Sequence, residues 1–337
     1  MAEEPPLPGS TGGGRGGGET ISVIVPAYNA AEFLDATLAS VVAQSRAPDE
    51  VVVLDDASTD DTAVVAKRWA DLLPLVLVER RQNEGLGAAR QLAIEHSSGS
   101  LIALLDSDDY WLPDHLAVLQ AAWERAGGVV TADKIDWVPG RRLSRTSWAE
   151  SVAIPAPELQ AQAIISGNFG LYCSLFSRAD YEAAGGFRPL RKSEDWDLWI
   201  RMVRSGSPLR VAPTPTVIYR KRPDSLSANN GCIGAEIAIL EGLCQEVGPD
   251  EQPIVHRALR LYRARHEYLA AFADVADGSV SRARWRWLRA AARDRRVGRG
   301  PGGYPSVALR AVACSVAPRR ALAIQRSRQS DVKLLAK

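Results

Sequence analysis

The stretch "LIALLDSDDYW" (residues 101–111) places three carboxylates directly after an apolar run. Asp106, Asp108 and Asp109 carry like charges, which repel each other and are unfavourable to bury unless something compensates them. Where a strand runs into a turn, Asp106 and Asp108 can both aim at one ligand. Such oxygen ligands suit Mg²⁺ or Mn²⁺, which bind through one or two carboxylates together with substrate phosphates. The spacing therefore predicts a divalent-cation site that receives a diphosphate. The alternative is an Asp-rich turn in which Asp109 caps the next helix.

A second carboxylate pair, Glu194 and Asp195, begins the stretch "EDWDLWIRM". Trp196, Trp199 and Ile200 fall on one face of a predicted helix, so the pair would lie at the helix N-terminus. Free N–H groups and the helix dipole favour anions at that position. The pattern alone leaves two interpretations, a charge pair that only stabilises the helix start or a pair with a chemical role.

Four apolar, β-branched runs must position these groups. Each run is hydrophobic without alternation, which is typical of strands buried on both faces of a parallel sheet. Helical patterns lie between the runs, so the order of elements predicts an α/β sheet with right-handed crossovers. Ser58 and Asp61 are predicted to form a capping box for the second helix, and Pro113 to start the fourth. The predicted strands are 21–26, 50–56, 75–80 and 101–106.

Polar clusters follow all four predicted strands. They are "PAYNA", "DDASTD", "NEGLGAAR" and "DSDDYW", in chain order. In open α/β sheets, ligands bind beyond the carboxyl ends of the strands, so these four loops are expected to converge on one site.

The set "PAYN", "DDASTD", "NEGLGAAR", "DSDDY" and "GGFRPLRKSEDWDLWIRM" resembles the family 2 glycosyltransferases, in order and spacing, over about residues 20–225. The resemblance implies a GT-A fold, in which a Rossmann-like, mostly parallel sheet is flanked by helices. It also implies inverting, metal-assisted transfer of a sugar from a nucleotide-diphospho-sugar (UDP-, GDP- or dTDP-linked) to an acceptor hydroxyl. The acceptor would be a glycan, a lipid-linked sugar or a small molecule.

The resemblance also assigns roles on the donor side. Pro26, Ala27 and Tyr28, at the end of the first strand, would line the base pocket. Asp55 and Asp56, after the second strand, would hold base and ribose, and Arg90, in the third cluster, would approach the nucleotide. The alternatives are packing of Tyr28 on the sheet edge, a turn-forming role for the Asp pair and a surface charge at Arg90.

On the metal and acceptor sides, the resemblance makes Asp108 the principal metal ligand and lets Asp106 contact the ribose or the metal. It makes Asp195, beside Glu194, the general base, which would take a proton from the acceptor hydroxyl. Asp195→Asn is then expected to leave donor binding nearly intact and to abolish transfer.

The match departs from the family pattern at two positions. Arg222, in "TVIYRKRPDS", stands where the family has a His that can ligate the metal. A guanidinium cannot ligate a cation but can contact phosphate, so metal binding is predicted to be weaker, with Arg222 helping to neutralise the leaving group. Gln91 stands where the family often has Asn. None of the four histidines has a catalytic setting, and His96 and His115 are expected at the surface or at helix ends.

Composition sets further limits. The chain has 337 residues, 46% of them hydrophobic, and a net charge of +1, which gives no support for nucleic-acid binding. The four cysteines lack CxxC spacing, so free thiols in a reducing cytosol are predicted.

The predicted organisation is a disordered Gly/Pro-rich tail at 1–19, a catalytic domain at 20–230 and a helical region at 231–337. No signal peptide is recognisable, so the enzyme is expected in the cytoplasm.

The C-terminal region is basic, with fifteen Arg and Lys against two Asp from Ser281 onward. Its stretch "SRARWRWLRAAAR" has two interpretations. It is either a helix that rests on anionic lipid at the inner face of the cell membrane, with Trp285 and Trp287 among the headgroups, or a helix that packs Trp and Leu288 on the catalytic domain.

Two other functions use related sequence features. A nucleotidyltransferase also holds metal with acidic residues on an α/β sheet, but it usually carries a Gly-rich first loop with a Lys, which "PAYNAAEF" lacks. A non-catalytic sugar-nucleotide-binding protein would not need the Asp pairs or the Glu194–Asp195 pair.

Overall fold

The computed structural model describes residues 18–138, 143, 147–222, 232–294, 308–319 and 321–323. Its centre is an eight-stranded sheet in the order β3-β2-β1-β4-β7-β6-β8-β5. Strands β1 to β4 are parallel, β7 runs antiparallel to β4 and β6, and β5 is antiparallel to β8. The strands are β1 (Ile21–Ala27), β2 (Glu50–Asp55), β3 (Leu75–Glu79), β4 (Leu101–Leu104), β5 (Tyr110–Trp111), β6 (Val129–Trp137), β7 (Ser174–Ser177) and β8 (Leu209–Arg220).

The four predicted strands and their parallel pairing are confirmed. Alternate residues of β1 enter opposite cores, with Ile24 on one face of the sheet and Val23 and Val25 on the other. This two-sided burial explains why the strand sequences are continuously apolar. Ala27 pairs with Asp55 in register, so the loops after β1 and β2 leave the sheet side by side.

Eleven α-helices have defined bounds among the described residues, and those of the first two-thirds of the chain cover both faces of the sheet. Helices α3, α5 and α7 pack on the face of Ile24, and α1, α2 and α4 on the opposite face. They are α1 (Ala31–Val42), α2 (Thr62–Lys67), α3 (Leu86–Glu95), α4 (His115–Ala126), α5 (Pro157–Ser166), α6 (Arg178–Ala183), α7 (Glu194–Arg204), α8 (Ile233–Glu246), α9 (Gln252–Ala276), α10 (Val280–Arg293) and α11 (Ala308–Val316).

The C-terminal helices join the molecule in two ways. Helix α8 and the first half of α9 extend the core of the catalytic sheet, where Tyr262 stacks on Trp196 with ring centroids 5.3 Å apart. The second half of α9 packs with α10 and α11 in a separate apolar cluster. The predicted boundary at residue 230 and the N-terminal tail up to residue 17 lie outside the described residues.

Local predictions at two helix starts are wrong. Asp61 is the N-cap residue of α2 but its side chain makes no capping bond, and Ser58 Oγ instead accepts a hydrogen bond from Asn29 N at 2.9 Å. Helix α4 begins at His115, two residues after Pro113. His115 therefore lies at a helix end, as expected, but it is fully buried rather than at the surface. Its Nδ1 lies 2.9 Å from Thr216 Oγ1, and burial lowers the pKa of the imidazole to about 3.

Candidate active site

The acidic cluster lies at the carboxyl end of β4. One oxygen from each of Asp106, Asp108 and Asp109 lies within 4.8 Å of the others. Burial, and then repulsion from Asp106, raises the pKa of Asp108 to about 6. Burial together with the two neighbouring carboxylates raises the pKa of Asp109 well above its usual range. The cluster is therefore held together against its own repulsion, as the sequence predicted.

The last residue of β8 and the segment that follows it supply cations to this cluster. Arg220 Nε donates to the backbone oxygen of Asp108 at 2.9 Å, and Arg222 Nη2 lies 3.2 Å from Asp108 Oδ2. The guanidinium of Arg220 lies 5.0 Å from the ring centroids of both Phe33 and Trp137, so two aromatic faces fix its position. Arginine here partly neutralises Asp108.

Asp109 does not cap α4, so that alternative is wrong. Its Oδ1 accepts a hydrogen bond from Arg220 N at 2.7 Å, and its Oδ2 accepts one from the hydroxyl of Tyr172. Both oxygens are used inside the protein. Asp106 and Asp108 are only partly buried and remain the two carboxylates of the cluster best placed to meet a ligand.

Arg90 connects the acidic cluster to the second carboxylate pair. The residue is 1% exposed, and its Nη2 lies 2.6 Å from Asp106 Oδ1 while its Nη1 donates to Glu194 Oε1. The rings of Tyr172 and Phe187 lie 5.6 and 5.7 Å from the guanidinium. A buried arginine needs paired carboxylates, and Arg90 has one from each acidic group. It is therefore not a surface charge of helix α3.

Asp195 lies in the first turn of α7, next to Glu194. Its Oδ1 accepts a hydrogen bond from Trp196 N at 2.7 Å, and its carboxylate also bonds with the side chain of Asn168. Burial raises the pKa of Asp195, while the charge of Arg90 acts in the opposite direction and that of Asp106 in the same one. Burial likewise raises the pKa of Glu194. The two acidic groups thus lie close enough for their charges to interact.

The loops after β1 and β2 form the other end of the site. Pro26 and Ala27 are buried, whereas the ring of Tyr28 is 52% exposed. Asn29 and Ala57 have φ angles of 49° and 63°, and Asn29 Oδ1 accepts a hydrogen bond from Thr59 N at 2.8 Å. This hydrogen bond joins the loops after β1 and β2, so it supports the backbone that carries Tyr28.

Asp55 and Asp56 are both buried at the end of β2. Asp55 Oδ1 accepts a hydrogen bond from Ser58 N at 2.9 Å. Asp56 accepts one from Gly85 N at 3.0 Å, and its carboxylate lies 3.3 Å from Arg80 Nη1. Asp56 therefore ties the loop after β2 to the loop that leads into α3.

The comparisons with known proteins agree on one family. The sequence profile of Glycosyl transferase family 2 matches residues 22–184. The succinoglycan biosynthesis protein ExoO of Rhizobium meliloti is 31% identical over 278 residues, which are 77% of this chain and 79% of ExoO. The chain belongs to glycosyltransferase family 2.

Solved structures show that the fold of this family 2 glycosyltransferase is GT-A. Staphylococcus aureus TarS (residues 1–349, in complex with UDP-GlcNAc) superposes with a TM-score of 0.59 at 19% identity, over 82% of this chain and 83% of TarS. The mannosyltransferase PcManGT of Pyrobaculum calidifontis, in complex with GDP-Man and Mn²⁺, superposes with a TM-score of 0.57 at 22% identity, over 94% and 86% of the two chains. Of the functions that the sequence left open, family membership selects the glycosyltransferase.

The donor set in this glycosyltransferase fits a hard divalent cation. Mg²⁺ and Mn²⁺ take oxygen ligands, and a site of this kind needs only one or two carboxylates because substrate phosphates and waters complete the shell. Asp106 and Asp108 provide such a pair. Burial, and then repulsion from Asp106, raises the pKa of Asp108, and a bound cation would relieve that repulsion.

The roles of several residues that shape the site were not predicted from the sequence. Gln91, whose identity had no interpretation, accepts hydrogen bonds at Oε1 from Phe187 N at 2.9 Å and from the hydroxyl of Tyr181. It holds the loop after Gly185 and Gly186, whose φ angles are 79° and 68°. Arg220 could have been noticed because it lies within the stretch "TVIYRKRPDS", two residues before Arg222. Its partner rings are distant in the sequence.

Proposed function

We propose that this glycosyltransferase is an inverting, metal-assisted enzyme, and that Asp195 is its general base. The observation that carries the proposal is the link through Arg90, which binds Asp106 of the acidic cluster and Glu194 beside Asp195. An inverting transfer needs a base on one side of the anomeric carbon and charge stabilisation on the other. The buried guanidinium of Arg90 links the acidic cluster, on the proposed leaving-group side, to Glu194, which is next to the proposed base.

Asp195 suits the role of the base. Its pKa is raised by burial, which makes the carboxylate a better proton acceptor than an ordinary Asp, while the nearby charge of Arg90 limits that rise. Hydrogen bonds from Trp196 N and from the side chain of Asn168 orient the carboxylate. In this proposal, Glu194 and Asn168 position the base and do not touch the reacting atoms.

Asp108 and Asp106 would hold a divalent cation, Mg²⁺ or Mn²⁺, through their carboxylate oxygens. When bound, the cation stabilises negative charge on the diphosphate leaving group. Arg222 is positioned 3.2 Å from Asp108 and would contact the diphosphate, since a guanidinium binds phosphate oxygens directly. The binding of a cation to a GT-A neighbour, PcManGT, supports this reading of the acidic cluster.

The loops after β1 and β2 would bind the nucleoside. Tyr28 is exposed and would offer its aromatic face to the base, in a pocket that Pro26 and Ala27 would also line. Asp55 and Asp56 would accept hydrogen bonds from base N–H or ribose O–H groups with the lone pairs that their internal bonds leave free. Neighbours with the same fold bind UDP-GlcNAc and GDP-Man, which supports a UDP- or GDP-sugar donor, with a dTDP-sugar as a third option.

The acceptor would be a hydroxyl on a growing polysaccharide or its precursor. The support is the relative ExoO, which is named for succinoglycan biosynthesis and covers most of this chain.

A screen of nucleotide-sugars tests the proposal. UDP-, GDP- and dTDP-sugars are compared by thermal shift and by release of the nucleoside diphosphate, each with Mn²⁺, with Mg²⁺ and with EDTA. One donor class is expected to stabilise the wild type in a metal-dependent manner, and Asp108→Asn to lose the metal dependence. NMR of the transfer or hydrolysis product should show the anomeric configuration opposite to that of the donor. Equal stabilisation with EDTA would reject the metal, and a retained configuration would reject inversion.

A further inference from the structure

Helix α10 has two distinct faces. Ala283, Trp287 and Ala290 point inward and are fully buried in the cluster formed with α9 and α11. Trp287 Nε1 donates to Tyr268 O at 3.1 Å, and its ring lies 5.2 Å from that of Phe272. The prediction that Trp287 sits among lipid headgroups is therefore wrong, because this ring is part of the core.

The opposite face of α10 is apolar and exposed. Trp285 is 67% exposed and Leu288 is 43% exposed. With 3.6 residues per turn, Trp285, Leu288 and Ala292 fall on one line along the helix, on the side away from the buried residues. We call these three residues the outer stripe. A large exposed indole beside leucine is unfavourable in water and usually marks a contact surface.

Arginines border the outer stripe on both sides. Arg284 lies on one side and has no carboxylate partner among the described residues. On the other side, four arginines share only two carboxylates, so this side keeps a positive charge. The pairs are Arg282 with Asp274, Arg286 with Asp274 and Glu267, and Arg289 and Arg293 with Glu267. Such side chains can extend along an apolar surface and keep their charged ends at a polar boundary.

We propose that the outer stripe docks on an anionic lipid surface, with α10 parallel to the membrane plane. A narrow apolar line flanked by cations matches the boundary between acyl chains and acidic headgroups, where an indole is also favoured. The charge of the sequence that follows agrees, with ten Arg and Lys against one Asp after Asp294. None of the described helices is long and apolar enough to cross a membrane.

Vesicle sedimentation of the full chain tests this proposal. Phosphatidylcholine vesicles with and without phosphatidylglycerol are compared at low and high salt. The variants are Trp285→Ser and Arg284→Gln. Their matched controls are Leu72→Ser, at an equally exposed leucine, and Arg125→Gln, at an exposed helical arginine without a carboxylate partner among the described residues. All of these sites are exposed, and circular dichroism verifies that each variant folds.

We expect salt-sensitive binding to vesicles that contain phosphatidylglycerol and little binding to phosphatidylcholine alone. Arg284→Gln should weaken the partition coefficient about fivefold and Trp285→Ser about tenfold or more, with the controls unchanged. Binding that is equal in Trp285→Ser and wild type would overturn the proposal and assign the contact to other basic segments. If the protein does not bind vesicles and Trp285→Ser converts a dimer to a monomer in light scattering, the outer stripe contacts a second copy of the chain instead of lipid.

Discussion

Replacing Asp195 by Asn separates a catalytic role from a structural one. The amide has almost the shape of the carboxylate, and its oxygen can still accept the hydrogen bond from Trp196 N, 2.7 Å away in the wild type. The change removes a charge that burial disfavours, because burial raises the pKa of Asp195. A group with a raised pKa stabilises the fold only when it is protonated, so near neutral pH the variant should melt at the same or a higher temperature than the wild type.

Catalysis should respond in the opposite direction. A positioned general base contributes about 10²–10⁴-fold to rate, or ~3–5 kcal/mol of transition-state stabilisation, so kcat should fall by that factor while donor KM changes little. The assay is release of nucleoside diphosphate at saturating donor and acceptor. In the wild type, kcat should also decline as pH falls through the raised pKa of Asp195, since only the ionised carboxylate accepts the proton.

Asp197→Asn is the matched control on the same helix. Asp197 is buried and accepts hydrogen bonds from Arg201 Nη2 at 2.6 Å and Nε at 3.1 Å. Losing these charged bonds should reduce the free energy of unfolding by ~1.5–3 kcal/mol and leave kcat near wild type. The reasoning about Asp195 would be refuted by a kcat of Asp195→Asn within tenfold of wild type, or by equal kcat losses in both variants.

Three further changes probe the surrounding charges. Arg90→Met leaves the buried carboxylate of Glu194 without its partner, so the free energy of unfolding in urea should fall by ~3–5 kcal/mol, and a loss under ~1 kcal/mol would contradict the buried bridge. Arg222→Ala should raise donor KM about tenfold in initial-rate measurements, since a charged contact of ~1.5 kcal/mol or more is lost, and an unchanged KM would exclude phosphate contact. The neutral His115, with a pKa lowered to about 3, stabilises the fold above pH 6.5, so stability should decrease by ~2 kcal/mol between pH 7 and pH 5, and His115→Gln should reduce that decrease.

The half of the sheet formed by β1 to β4 could be predicted from the sequence because its strands are buried on both faces. Such strands are continuous apolar runs, and the helices between them follow the period of 3.6. Strands β5 to β8 could not be predicted in the same way. They are antiparallel or irregularly paired, and β5 has only two residues, Tyr110 and Trp111, so local pattern carries little information about them.

Misjudged residues have partners that are distant in the sequence. His115 has the sequence context of a helix start, yet its ring is buried and contacts Thr216, which is 101 residues away. Ser58 and Asp61 have the spacing of a capping box, yet Ser58 Oγ accepts a hydrogen bond from the backbone N–H of Asn29, which lies in another loop. Arg220 is held between Phe33 and Trp137, which no local window contains together. In each case a tertiary contact outweighs the local preference.

The link through Arg90 depends on the shape of arginine as well as its charge. A guanidinium is planar and presents its N–H groups in a fixed fork, so the two carboxylates it binds are held at a set separation and angle. Asp106 follows the end of β4 and Glu194 lies at the start of α7. The rings of Tyr172 and Phe187 pack near the guanidinium. An in-line displacement depends on the placement of the base relative to the leaving group to within about an ångström. A lysine at position 90 would keep the charge and lose the fork, so in the proposed mechanism the arginine is required to hold Asp195 and the acidic cluster in one geometry.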